Sequence, residues 1–389
     1  MLRNESLIED LKGDEAELVA IRQDLHTHPE IGLEEVRTSE VVAKELARLG
    51  YEVHRGLAKT GVVATLRNGT SRKSIGLRAD FDALPIEEAT GLPYASKTAG
   101  KMHACGHDGH TTMLLGAARQ IARRKAFDGT VHLIFQPAEE NHGGARIMIE
   151  EGLFKKFPCD AVFGAHNEPG MPVGNFGFRE GTLMAAVDQV QITIRGKGGH
   201  GAQPEETVDP IVAGASLVMA LQTVVSRNVT PHERAVVTVG CLKAGAACNV
   251  IPETAFLDVS LRYFDPEVGA MMRQRIGTLA DGQARSFGAS AECNWILGYP
   301  ATINEPASTR IAREVAVDML GADKVRDIDK PFLGSEDFSF MLQERPGSYL
   351  MMGNGDSAPL HNPAYNFNDA AILPGAAYWT ELVERYLKA

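Results

Sequence analysis

The stretch Met102–His110, MHACGHDGH, gathers a thiol, three imidazoles and a carboxylate into nine residues. Cys105 and His107 stand two apart in a glycine-rich setting that suits an irregular loop leading into a helix, TTMLLGAARQIARR. Thiolate and imidazole are good ligands for a metal of borderline softness. The competing structural reading is a capping cluster at a helix start. Further on, TVHLIFQPAEENHGG ends an apolar run with Glu139 and Glu140 side by side. Adjacent side chains leave the backbone in different directions, so one carboxylate can bind a metal while its neighbour faces a metal-bound water. Metal-assisted hydrolysis needs that division between ligand and general base. A solvated acidic turn is the plain alternative.

Two single histidines extend the set. His166 closes the apolar run of DAVFGAH, and His361 sits in the turn-rich LHNPAYNFND. Ligands of open α/β sheets collect outside the carboxyl ends of strands, and these segments all read as strand ends or the loops after them. Cys105, His107, Glu140, His166 and His361 are too many for a closed tetrahedral zinc site. They fit two divalent ions about 3.5–4 Å apart. Thiolate and imidazole favour zinc, cobalt or nickel, and carboxylate favours manganese. Asp80 and Asp82, in LRADFDALP after another strand, are placed to orient a ligand histidine from behind. A turn with two exposed acids is the rival reading. His26 and His28 fall near a helix end, where capping accounts for them. His103, His110, His132 and His142 carry no independent argument. The glycine-rich GKGGHGAQP lacks the order of a phosphate loop. It presents His200 as a hydrogen-bond donor to an oxygen that becomes negative during reaction.

The elements that must position these residues come in two patterns. Helices from Ala16 to about His28 and Thr38–Gly50 precede short apolar runs spaced by helices: GVVATL, SIGLRAD, TVHLIFQ, DAVFGAH and, after Tyr299, TRIAREVAVDML, SYLMMGNG and AAYWTELVERYL. Buried strands alternating with helices predict an α/β domain, a mixed sheet covered on both faces. Between them, VDQVQITIRG alternates with period two and opens a βαββαβ order that ends at ASAECNWIL, a ferredoxin-like α+β pattern. The expected division is residues 1–185 and 298–389 for the metal-binding domain and 186–297 for the insert.

Bulk properties bound the function. A chain of 389 residues exceeds one comfortable core. Net charge −11 argues against nucleic acid or an anionic membrane as partner. IVAGASLVMALQTVV (211–225) is short for a bilayer, follows an Asp209-Pro210 helix start, and reads as a buried helix of a soluble protein. Five scattered cysteines make no disulfide framework, and the N-terminal residues lack a signal peptide's apolar core, so the cytoplasm is the expected compartment.

The motifs RADFDALP, MHACGHDGH, QPAEE, HNEPG, GKGGHGAQP, NVIPE, GSEDFS and LHNPAYNFND, in this order, resemble the M20 family of metallopeptidases and amidohydrolases. More narrowly they resemble its aminoacylase branch of hippurate and auxin-conjugate hydrolases, from about DLHTHPEIG to the last helix. The resemblance implies a zinc-peptidase-like catalytic domain with two metals and an inserted lid that also dimerises. It implies that Cys105, His107, Glu140, His166 and His361 are the ligands, Glu139 the general base and acid, and His200 a lid residue facing the tetrahedral intermediate. Asn249 in NVIPE and Arg262 in SLRYF would hold the substrate's carboxylate. The implied substrate is a small N-acyl amino acid, with a dipeptide as the alternative within the family. Two rivals come from other classes: a Cys105 nucleophile with His107 as base, and a non-catalytic binding protein. One position departs from the pattern, because Glu205 follows GAQP where relatives commonly carry His.

Overall fold

The computed structural model describes residues 5–388. It divides into two compact units. The larger runs to Leu183 and resumes over Ile303–Pro331 and from Asp337 onward. Its eight-stranded sheet has the order Glu52–Leu57, Gly61–Asn68, Gly129–Gln136, Ser74–Asp80, Ala161–Pro169, Gly347–Gly355, Phe176–Phe178, Val325–Asp327. The four strands from Gly129–Gln136 to Gly347–Gly355 in that order run parallel to one another. The outer pairings are antiparallel, apart from Val325–Asp327 beside Phe176–Phe178. Ser74–Asp80 is buried at every residue and Gly347–Gly355 at all but the last. Side chains alternate between the two faces of a strand, so burial of both sets means that both faces are covered. Glu52–Leu57, Phe176–Phe178 and Val325–Asp327 have no sequence signal; the first is an edge strand with mostly exposed side chains.

Small residues set the helix packing. Helix Ile372–Tyr386 lies along helix His107–Arg124. A methyl group on Gly116 would come within 2.8 Å of the Ala376 Cβ, and one on Gly375 within 2.1 Å of the Met113 sulfur.

The smaller unit is Met184–Thr302 with a returning segment, Phe332–Glu336. Its sheet order, Ala235–Ala244, Thr254–Tyr263, Ala186–Arg195, Ser290–Leu297, is antiparallel throughout. That is the ferredoxin-like arrangement of βαββαβ. Ala186–Arg195 and Thr254–Tyr263 bury alternate residues. The inward set packs with helices Pro210–Thr223 and Pro266–Ser286. The returning segment falls outside the expected 186–297. It is held where Ala185 N–H reaches the Phe332 and Gly334 carbonyls at 3.0 Å and Arg262 reaches Leu333 O and Ser335 Oγ.

One expectation needs correction. The helix starting at Pro210 is not buried all round. With a π-wound continuation it extends to Asn228 and is, by length and composition, apolar enough to cross a membrane. Ala213, Leu217 and Leu221 face the unit's core, while Ile211, Val212 and Met219 are 40, 49 and 72% exposed.

Candidate metal centre

The parallel strands deliver their carboxyl ends to one place. Asp80 is the last residue of Ser74–Asp80, the Glu139–Glu140 pair follows Gly129–Gln136, and His166 lies in Ala161–Pro169 opposite Met351 of Gly347–Gly355. Cys105 precedes a helix that begins at His107, four residues earlier than the TTMLLGAA run suggests. Gly106 supplies the left-handed turn into that helix with φ of +90°. His361 enters from its loop, also left-handed at φ of +61°, with its N–H donated to Ala104 O at 2.8 Å.

Cys105, His107 and His166 bring their donor atoms within 4.8 Å of one another, and so do Cys105, Glu140 and His361. Cys105 belongs to both trios. Its Sγ lies 3.2 Å from His166 Nε2. Glu140 Oε1 lies 3.2 Å from His361 Nε2 and 3.9 Å from His107 Nε2. His107 Nε2 and Glu140 Oε1 are buried, yet neither forms a hydrogen bond among the described residues. Burying such groups without partners is costly. A cation between them satisfies both, and the thiol, imidazole and carboxylate donors suit one chemically. The donor set therefore fits divalent metal.

Surrounding groups fix the donors. Asp82 meets His107 Nδ1 with its Oδ1 at 3.1 Å and its carbonyl at 3.0 Å, and its Oδ2 accepts the Glu140 N–H at 3.0 Å. The His107 Nδ1 proton is thereby held away from the cluster, leaving Nε2 to bind. Asp80 Oδ1 pairs with His110 Nδ1 at 2.6 Å and its Oδ2 with Arg78 at 2.7 Å. His110 Nε2 accepts the Asn167 N–H at 3.0 Å, and the Asn167 amide donates to Cys105 O at 2.6 Å. Tyr365 donates to the Asn167 oxygen at 2.5 Å. The two acids are thus buried and engaged, not the exposed acids of a turn.

The site's charge is largely negative. Burial lifts the Cys105 thiol well above its ordinary pKa, and the Glu140, Glu139 and Asp80 carboxylates push the same way. Burial pushes His166 down to about 3, so it is a neutral donor. Burial alone would lower His107, but Asp80, Asp82 and Glu140 outweigh it and raise it to about 10. In this field a thiolate needs a cation beside it, and Cys105 Sγ stands in both donor trios, which favours a ligand role over a free nucleophile.

His26 is corrected as well. It caps nothing: it is buried between Asp108 at 2.8 Å and Glu88 at 3.3 Å. His28 does take the capping role, with its ring nitrogen 2.8 Å from Asp24 O. Sequence reasoning missed His110, Asn167 and Tyr365. His110 had a signal, because it stands three residues after His107 on a helix and so shares its face. Asn167 and Tyr365 had none. In the smaller unit His200 is exposed on a short ribbon, paired with Val250. Its Nδ1 accepts the Ala202 N–H at 3.0 Å, which leaves the proton of the neutral ring on Nε2 as a donor. Asn249 is exposed beside it, with its carbonyl accepting the Gly201 N–H at 2.8 Å. Glu205 is exposed in the turn Pro204–Glu206. Arg262 is partly buried by the returning segment.

The profile of peptidase family M20/M25/M40 matches residues 76–385. The chain belongs to this family. Among its M20 relatives, the hippurate hydrolase of Campylobacter jejuni is 42% identical over 383 residues, covering 98% of this chain and all of the relative. The N-acetyl-L-cysteine deacetylase of Bacillus subtilis is 40% identical, covering 99% and 92%. An IAA-amino acid hydrolase of Arabidopsis thaliana is 39% identical, covering 95% and 85%. The solved YXEP protein of Bacillus subtilis, described as a dinuclear metal binding M20 peptidase, superposes with a TM-score of 0.85 at 35% identity, covering 97% of this chain and 99% of that one.

Proposed function

We propose that this M20 protein is a metal-dependent amidohydrolase that cleaves N-acyl amino acids, of the hippurate or N-acetyl kind, to a carboxylic acid and a free amino acid. The observation that carries the reading is the convergence of five donors on one place with a second buried carboxylate, Glu139, beside them. The names of full-length relatives at about 40% identity support the substrate class.

In this reading Cys105, His107, Glu140, His166 and His361 hold two divalent ions, zinc, manganese, cobalt or nickel. Bound divalent metal supplies Lewis acidity toward a carbonyl oxygen and toward water. Glu139 takes one proton from the attacking water as its oxygen bonds to the amide carbon. It then gives that proton to the nitrogen as the C–N bond breaks, so the amine leaves neutral. His200 donates its Nε2 proton in a hydrogen bond to the carbonyl oxygen while that oxygen carries negative charge. Asn249 and Arg262 hold the substrate's carboxylate, and Asp80 and Asp82 keep the histidines in register. Glu139→Gln is expected to keep its metal while losing about 10²–10⁴-fold in kcat. Full turnover in that variant removes the assigned base. Parallel assays of hippurate, N-acetyl amino acids and dipeptides, on protein reloaded with each ion, decide substrate and metal together.

The protein is proposed to act as a homodimer in the cytoplasm, with the smaller unit as lid and contact surface. The exposed Ile211, Val212 and Met219 support the contact, and five unpaired cysteines support the compartment.

A further inference from the structure

We propose that the turn His28–Glu35 is a clasp that aims the acidic loops of the site, and that Glu35 is a positioning residue for Glu139. The inference rests on Glu139 being the base.

Ala138 immediately precedes Glu139 and holds φ of +56°, a left-handed conformation that is unfavourable for a residue with a Cβ. A side chain from far away offsets that cost. Glu35 is fully buried; its Oε1 accepts the Ala138 N–H at 2.9 Å and its Oε2 the Thr60 hydroxyl at 2.7 Å. Ala138 O in turn accepts the Gly144 N–H at 3.0 Å. The same turn closes against Ala138 from another side: a methyl group on Gly32 would lie 2.9 Å from the Ala138 Cα and Cβ.

The clasp has a second grip. Glu30 O accepts the N–H of Ala83, next to Asp82, at 2.8 Å, and Ile31 bridges to Ala83. The Glu30 carboxylate is spent on the N–H groups of Arg37 and Thr38, which start the next helix. One short turn therefore fixes the backbone beside Asp82 and beside Glu139, while contributing no donor to the metal trios. Glu139 and Glu140 can diverge only if the peptide before them keeps this twist, and the Glu35 carboxylate is what the twist hangs on.

The test compares metal-reloaded Glu35→Ala, Glu35→Gln and Glu35→Ala/Ala138→Gly with wild type and Glu139→Gln, reading kcat, KM and bound metal per chain. Glu35→Ala is expected to keep its metal and its KM while kcat falls about a hundred-fold, the scale of a misaimed catalytic group. Glu35→Gln, whose amide still accepts from Ala138 and can donate to Thr60, recovers most of that turnover. Glycine adopts the left-handed turn unaided, so Ala138→Gly in the Glu35→Ala background restores about ten-fold or more. Full kcat in metal-loaded Glu35→Ala, or no recovery by Ala138→Gly, overturns the clasp. Should Glu35→Ala fail to fold, Thr60→Val removes one anchor alone, and unchanged kcat there overturns it equally. An active Glu139→Gln would instead overturn the base assignment.

Discussion

Asp82 serves two candidate ligands at once: one oxygen orients the His107 ring and the other pins the backbone of Glu140. Removing it should loosen both. Asp82→Ala is expected to lower metal affinity about 10–100-fold, measured by competition with a chromogenic chelator. His26 gives a prediction in pH. Burial alone would lower its pKa, but Asp108 and Glu88 outweigh it and raise it to about 9, with Arg22, Tyr94 and His103 as further polar neighbours in this pocket. The folded protein then holds a proton that the unfolded chain releases near pH 6.5. The stabilisation is complete below that, fades as pH climbs toward 9, and is absent above it; its ceiling is about 3 kcal/mol. His26→Gln should therefore cost stability at pH 6 and little at pH 10, as read by denaturant midpoints. At this scale the sequence was legible where residue type limits chemistry. Cys105, His107, Glu140, His166 and His361 stand out as metal donors by type, and the structure gathers them. An asparagine or a tyrosine such as Asn167 or Tyr365 has too many ordinary uses to be singled out. His26 misled because position near a helix end says nothing about a carboxylate arriving from residue 108.

Elements decide how well those side chains are aimed. The helix His107–Arg124 can begin at a candidate ligand only because Gly106 turns left-handed without a side chain. A methyl group there would sit 2.4 Å from the Asn167 amide and 2.5 Å from the Tyr365 oxygen. Gly106→Ala should cost about 2 kcal/mol or more and weaken metal binding as well, checked by thermal melts with and without added metal. Buried strands and amphipathic helices could be read from apolar spacing, because local periodicity reports which side is wet. The edge strand Glu52–Leu57 has no such contrast. The clasp at His28–Glu35 escaped for another reason. Its meaning lies in bonds to Thr60, Ala83 and Ala138, and no local pattern encodes partners that distant.

On the scale of the whole molecule, the outward face of the Pro210–Asn228 helix sets an expectation for assembly. Met219→Glu places a charge at a residue 72% exposed in the single chain. If the proposed dimer forms through this face, the variant sediments as a monomer while the fold's circular dichroism stays unchanged. Two units were visible in the sequence as a change from continuous apolar runs to period-two alternation. The return of Phe332–Glu336 to the smaller unit was not, since so short a segment has no pattern of its own.

The parallel core also carries a consequence for biogenesis. Gly347–Gly355, late in the chain, is not an edge strand; it pairs with Ala161–Pro169 on one side and Phe176–Phe178 on the other. A ribosome must therefore finish most of its work before the sheet can close, and such distant pairings fold slowly. His361 emerges later still, so a nascent polypeptide cannot assemble the full donor set early, and the capacity to cut amides switches on only after the architecture around it is complete.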